Sequence, residues 1–255
     1  MAVSANTLFH FTKSDALKSI LSSQGLFAQY SDEHFEDIFP EKSNFRFNYI
    51  PMISFCDLTI MQLSGDSKHR ENFGEYGIGL TKEWGIRNKV SPVIYVHEKS
   101  QPSNQLQQLY KLLYNFPKNK NYSDGITGIK RELVDSIKYF KPYKGRWHKG
   151  IRIDNTLPDL NYYNEREWRF CPSLNEYQVL SAIKRYNKKK KEAFNSELKT
   201  KLIKFDSDDI KFIVIKDKSE KNGFVKIIEK MSIKTKQKNE LITNIISFEE
   251  ISEDY

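Results

Sequence analysis

At 255 residues, 38% hydrophobic and with a mean hydropathy of −0.65, the chain can bury a sizeable core under a very polar surface, which argues against both a disordered and a membrane-embedded protein. No stretch approaches the roughly 18 apolar residues of a membrane span. Met1 to Asn6 lacks the basic start and apolar run of a secretory leader, so a cytoplasmic protein with no membrane association is expected. The net charge of +8 and the pI near 9.2 favour a polyanionic partner, RNA or DNA, although a solvated helix face explains a lysine run such as Lys188 to Lys191 equally well.

Along the chain, Thr7 to Thr12 alternates as a strand, with Phe9 and Phe11 on one side and Leu8, His10 and Thr12 on the other. A helix follows, capped by Ser14 and carrying an Ala16, Leu17, Ile20 and Leu21 stripe, and Gly25 provides a left-handed stop. The polar, aromatic-rich stretch Gln29 to Tyr49 precedes short strands at Met52 to Cys56 and Tyr76 to Leu80. In the latter, Gly77 and Gly79 strip one face of side chains, so something can approach that backbone closely.

Thr81 caps a short helix through Trp84, and Pro92 to His97 reads as a buried strand. Amphipathic helices are predicted at Asn104 to Phe116 and Thr127 to Phe140, a helical insertion over about 101–141. A loop rich in lysine, glycine and aromatics runs from Lys141 to Ile153. The strand Glu165 to Phe170, a basic helix at about 179–202, and strands near Ile210 to Ile215 and Ile242 to Phe248 complete the chain. No linker or repeat interrupts it, so a single domain over 1–255 is expected.

Chemistry concentrates in two segments. Strand alternation through Glu165-Arg166-Glu167-Trp168-Arg169-Phe170 places Glu165, Glu167 and Arg169 on one side. Two like charges there need a cation, a substrate or Arg169 itself as compensation, and a cross-strand ion-pair ladder is the plain structural alternative. In the first strand, His10 and Thr12 share a side just before a helix N-terminus, a combination suited to a ribose hydroxyl or a phosphate. Ser54 offers a further hydroxyl and Tyr76 an aromatic platform.

Cys56, Cys171, His34, His69, His97 and His148 have no metal-ligand spacing, so neither a metal site nor a disulfide framework is expected. Phosphate-binding, dinucleotide-binding and nucleophile-elbow glycine motifs are missing, which removes support for kinase, ATPase, dehydrogenase and hydrolase readings.

The segments LFHFTKSDALKSILSSQGLFAQ, IPMISFCDL, YGIGLTKEWGIRNKVSPVIYV and EREWRF, in this order, resemble the AbiGi family of bacterial abortive-infection proteins, described as the antitoxin side of a two-gene phage-resistance system. The opening segment also resembles DarT-type ADP-ribosyltransferases. That second resemblance implies an α+β fold with an ADP-ribosyltransferase-like split, mixed or antiparallel sheet and peripheral helices, and NAD as substrate. By the same resemblance, His10 and Thr12 would hold NAD, Ser54 and Tyr76 would loosely match the nicotinamide end, and Glu167 or Glu165 would act at the ribose.

Under the transferase reading, Glu167 stabilises an oxocarbenium-like transition state, Glu165 serves as general base, and ADP-ribose passes to a macromolecule, with nucleic acid favoured. Two alternatives stand beside it. One is an inactive antitoxin or sensor that neutralises a partner toxin by contact. The other is direct RNA binding through the lysine-rich helix and the aromatic loop at Tyr143 and Trp147.

Overall fold

In the computed structural model, the described residues are 5–36, 38–39, 46–64, 74–115, 123–146, 148–149, 152–153, 160–173, 180–181, 188–199 and 202–254. They form a mixed α+β structure. Its strands are β1 (Thr7–Thr12), β2 (Gly25–Phe27), β3 (Gln29–His34), β4 (Phe47–Cys56), β5 (Tyr76–Thr81), β6 (Ser91–Pro92), β7 (Ile94–Val96) and β8 (Phe140–Pro142). They continue with β9 (His148–Lys149), β10 (Arg152–Ile153), β11 (Glu167–Phe170), β12 (Leu180–Ser181), β13 (Leu202–Lys204), β14 (Ile210–Ile215) and β15 (Ile245–Ser247). The helices are α1 (Ser14–Ser23), α2 (Ile60–Ser64), α3 (Lys82–Arg87), α4 (Gln101–Asn115), α5 (Ser123–Ile137), α6 (Lys188–Leu198), α7 (Lys221–Glu229), α8 (Thr235–Thr243) and α9 (Phe248–Asp254).

The contacts divide the chain into two compact units. One comprises residues 1–27, 53–91 and 201–255; the other comprises 28–52 and 92–200.

In the first unit, β1 pairs antiparallel with β5 from Thr7 opposite Thr81 to Thr12 opposite Tyr76. Strand β14 pairs antiparallel with β5, and β15 runs parallel to β14, so the sheet is mixed. Phe9 and Phe11 stack along β1 and lie across the bare faces of Gly79 and Gly77. A Cβ at either glycine would come within 2.8 Å of a ring carbon. What approaches that backbone is therefore the protein's own aromatic row. Phe9, Cys56, Leu58, Leu63, Val214, Phe248 and Ile251 bury one another, which seats α9 against α2.

Two local expectations in this unit need correction. The residue preceding α1 is Lys13, with no side-chain cap, so Ser14 is the first helical residue and not the cap. The left-handed residue that stops α1 is Gln24, at φ 49°, while Gly25 already lies in β2, where a Cβ would meet Leu202 at 2.5 Å. Gly25 thus serves close strand packing rather than the turn. Thr81 does cap α3, its hydroxyl accepting the Trp84 N–H at 3.1 Å.

In the second unit, β3 forms a hairpin with the first half of β4, from Gln29 opposite Met52 to His34 opposite Phe47. Gln29 to His34, taken in the sequence as part of an irregular stretch, is a strand with Tyr30 and Glu33 buried. Strands β7 and β8 are parallel, and α4 and α5 form the crossover between them. A parallel connection needs a dozen residues or more, which accounts for the helical insertion. Helix α5 ends at Ile137, so Phe140 belongs to β8 and not to the helix.

Phe35, Ile38, Phe39, Ile50, Met52, Val96, Leu133, Ile137 and Cys171 make this unit's core. The basic helix is shorter than expected. Leu180–Ser181 pairs with β4 and Leu202 lies in β13, leaving α6 at Lys188–Leu198. Phe194 and Leu198 seat α6 on Tyr30 and Tyr49, and the Asn195 side chain accepts the Tyr30 N–H at 2.9 Å. The predicted Val179 and Trp147 lie outside the described residues.

Candidate functional site

The chemistry of the second unit gathers on β11, where alternation buries Glu167 and Arg169 on one side. Glu165 is not on that strand, contrary to the pattern of alternation. It closes a 3-10 turn, Tyr162–Glu165, and the chain reverses at Arg166 in a left-handed conformation, φ 44° and ψ 50°, before β11 begins. Lys141, on β8, rejoins the two carboxylates. Its Nζ lies 2.5 Å from Glu165 Oε2 and 2.7 Å from Glu167 Oε2.

Arg169 takes the rest of Glu167, with Nε donating to Oε1 at 2.6 Å and Nη2 to Oε2 at 3.0 Å. The same guanidinium reaches Glu33 Oε1 on β3 at 2.8 Å and donates from Nη1 to the Lys138 carbonyl at 3.0 Å. Glu167 is further fixed by its backbone, whose N–H donates to the Tyr95 hydroxyl at 2.8 Å. The ring of Tyr162 lies beneath Lys141, with Nζ 5.0 Å from its centroid.

Three carboxylates thus face two cations. Burial alone would raise the Glu167 pKa, but Arg169 and then Lys141 overrule it and hold the carboxylate well below the usual range. For Glu165, burial dominates and raises the pKa above its ordinary 4.5, with Glu167 adding to the rise and Lys141 opposing it. Of the two carboxylates on Lys141, Glu165 is the more exposed, its side chain 20% exposed against 6% for Glu167. The two carboxylates are thus pushed in opposite directions, Glu165 up and Glu167 down.

His10, Thr12, Ser54 and Tyr76 all fall in the first unit, whereas Glu165 and Glu167 fall in the second. His10 Nδ1 donates to the Ser54 carbonyl at 2.8 Å, which leaves Nε2 as the acceptor nitrogen. Burial lowers its pKa below the ordinary 6.5, outweighing that hydrogen bond, so the ring is neutral at pH 7. Thr12 lies opposite Tyr76 in the β1–β5 register. The Tyr76 hydroxyl donates to Glu220 at 2.8 Å and its ring stacks on Phe224; burial, then Glu220, pushes its pKa to about 12. Among the described residues, no group of three His, Cys, Asp or Glu side chains could hold a metal ion.

Sequence reasoning missed Lys141 and Glu33. The pattern runs the helix on to Phe140 and puts Lys141 in a loop, and the polar Gln29–His34 segment carries no apolar alternation to mark a strand.

The family model for the abortive phage resistance protein AbiGi, antitoxin, matches residues 27–216. The chain belongs to the AbiGi family. It is 26% identical over 223 residues to the abortive phage resistance protein AbiGi of Lactococcus lactis subsp. cremoris, covering 81% of this chain and 89% of that protein. No solved structure matches it. The AbiGi match takes in β3, β8 and β11, and with them every member of the ion cluster. Among the described residues, no helix is long and apolar enough to cross a membrane.

Proposed function

We propose that this AbiGi-family chain acts in phage defence as the antitoxin of a pair, an ADP-ribosyltransferase-like scaffold that restrains a partner toxin by contact. The observation that carries this reading is the commitment of Glu167. Its oxygens accept three charged bonds from Arg169 and Lys141 at 2.6–3.0 Å, and the side chain is only 6% exposed, so a ribose hydroxyl has little access to it. A carboxylate locked in a buried ion cluster suits a scaffold better than a reaction centre that must exchange partners. The antitoxin in the family description agrees with this reading.

Co-expression tests it. The chain alone leaves growth unchanged and restores growth when its paired toxin is induced; growth arrest by the chain alone contradicts the reading.

Glu165 favours a second reading, NAD-dependent ADP-ribosyl transfer to nucleic acid. It is partly exposed, and its raised pKa suits a proton acceptor for an incoming nucleophile. His10, Thr12, Ser54 and Tyr76 would then hold NAD as substrate, and Glu167 would have to leave Lys141 or Arg169 to face the ribose. Transfer of label from NAD to RNA, DNA or lysate, abolished by Glu167→Gln in a folded variant, would establish this reading. Absence of transfer under all of these conditions removes it.

A further inference from the structure

Beside the ion cluster, joined to it only through the Tyr95 hydroxyl that accepts the Glu167 N–H, four rings run in contact along the second unit. His97 meets Tyr143 at 6.3 Å, Tyr143 meets Tyr163 at 5.5 Å, and Tyr163 meets Tyr95 at 5.3 Å. Tyr163 is 50% exposed, unusual for a large aromatic side chain making two ring contacts.

The backbone beneath these rings is pinned. Gly145 and Leu160 exchange N–H to carbonyl bonds at 3.0 and 2.7 Å, Tyr143 N–H donates to Val96 at 2.9 Å, and the Tyr162 hydroxyl donates to the Arg146 carbonyl at 3.1 Å. Gly145 permits this closeness, since a Cβ there would lie 2.4 Å from the Tyr162 ring.

The charges around the rings are asymmetric. Among the described residues the neighbouring acids are engaged: Glu165 and Glu167 by Lys141, Glu36 by Arg46 and Arg146, and Glu98 by Lys99. Lys144, next to Tyr143, and Arg166, three residues after Tyr163, make no ion pair among the described residues. Arg166 also holds a left-handed backbone, a conformation that costs a non-glycine residue energy, and its N–H donates to the Tyr163 carbonyl at 3.2 Å.

We propose that this surface binds single-stranded nucleic acid, with bases stacking on Tyr163 and Tyr143 and phosphates drawn to Lys144 and Arg166. A rigid row of aromatic faces flanked by uncommitted cations is the arrangement that captures a single strand without reading its sequence, because every base has a stacking face and every linkage a charge. The site goes beyond the antitoxin reading and does not depend on it.

Fluorescence anisotropy with labelled 12-mer oligouridine and oligodeoxythymidine tests the proposal and separates RNA from DNA. Wild-type protein binds at least one of the two, and a duplex of the same length competes poorly. Tyr163→Ala weakens binding roughly five- to 150-fold, the range for losing one base–aromatic stack, while Tyr163→Phe keeps it. Lys144→Gln and Arg166→Gln each flatten the dependence of log affinity on log salt by about 0.7. Because Lys144 is an exposed side chain, its variant reports on the site even if Tyr163→Ala unfolds. No binding of either strand, or unchanged affinity and salt slope in folded variants, overturns the proposal. A chain that neutralises its toxin yet binds no strand overturns this site alone.

Discussion

Arg169 grips Glu167, two positions earlier on the same strand, through two near-parallel bonds of 2.6 and 3.0 Å, and both side chains lie on the buried face of β11. Same-side neighbours on a strand stand roughly 7 Å apart at Cα, a span the planar guanidinium fork can close. Lys141 and Glu33 then complete the cluster from β8 and β3. A short local pair thereby ties three strands of the second unit together.

Removing one partner should be far worse than removing two. Arg169→Met leaves Glu167 and Glu33 without their shared cation in a buried site and is expected to cost about 3–5 kcal/mol. Adding Glu167→Leu should recover part of that loss. Urea unfolding of the two single variants and the double variant checks this, since purely additive losses would mean that the pair is not coupled.

The cluster also sets an acid response. Glu167 titrates below its ordinary 4.5 in the folded chain, so the unfolded chain binds the proton first. Its stabilising contribution is complete above pH 4.5 and declines as pH falls from there toward the lower folded value. The stability gap between wild type and Glu167→Gln, followed by urea unfolding from pH 7 to pH 3, should therefore narrow on acidification. A constant gap would show that Glu167 is not held ionised.

His10 behaves in the opposite chemical sense with the same direction in pH. Its folded pKa lies below 6.5, so protonation favours the unfolded chain and costs stability as pH drops below 6.5. Proton NMR should place the midpoint of the His10 ring shifts below pH 6.5. A midpoint at or above 6.5 would contradict the neutral, part-buried ring donating to the Ser54 carbonyl.

The glycine face of β5 is filled by Phe9 and Phe11, so Gly77→Ala must displace the Phe11 ring, 2.8 Å from the added carbon. A loss of about 1–3 kcal/mol is expected. Gly77→Ala combined with Phe11→Leu should be less damaging than the two changes summed, measurable as the shift in thermal midpoint.

Much of this architecture is legible in the chain itself. The alternation in Thr7–Thr12 and Tyr76–Leu80, the Thr81 cap and the helical insertion each follow from local patterning, and each is present. Long-range pairing decides the rest. Gln29–His34 is a strand because β4 lies beside it, although its own composition argues otherwise. Glu165 leaves the strand because Arg166 turns left-handed, a reversal that no neighbouring glycine announces. The need of Glu165 and Glu167 for compensation is visible in their charges, but the compensating Lys141 stands 24 positions from Glu165 and is identified only by folding.

Titration calorimetry between the purified chain and its paired toxin, with no NAD present, tests the central reading most directly. A saturable, stoichiometric complex that also forms with Glu165→Gln is the predicted result. No complex, together with toxin neutralisation that requires NAD, would contradict it.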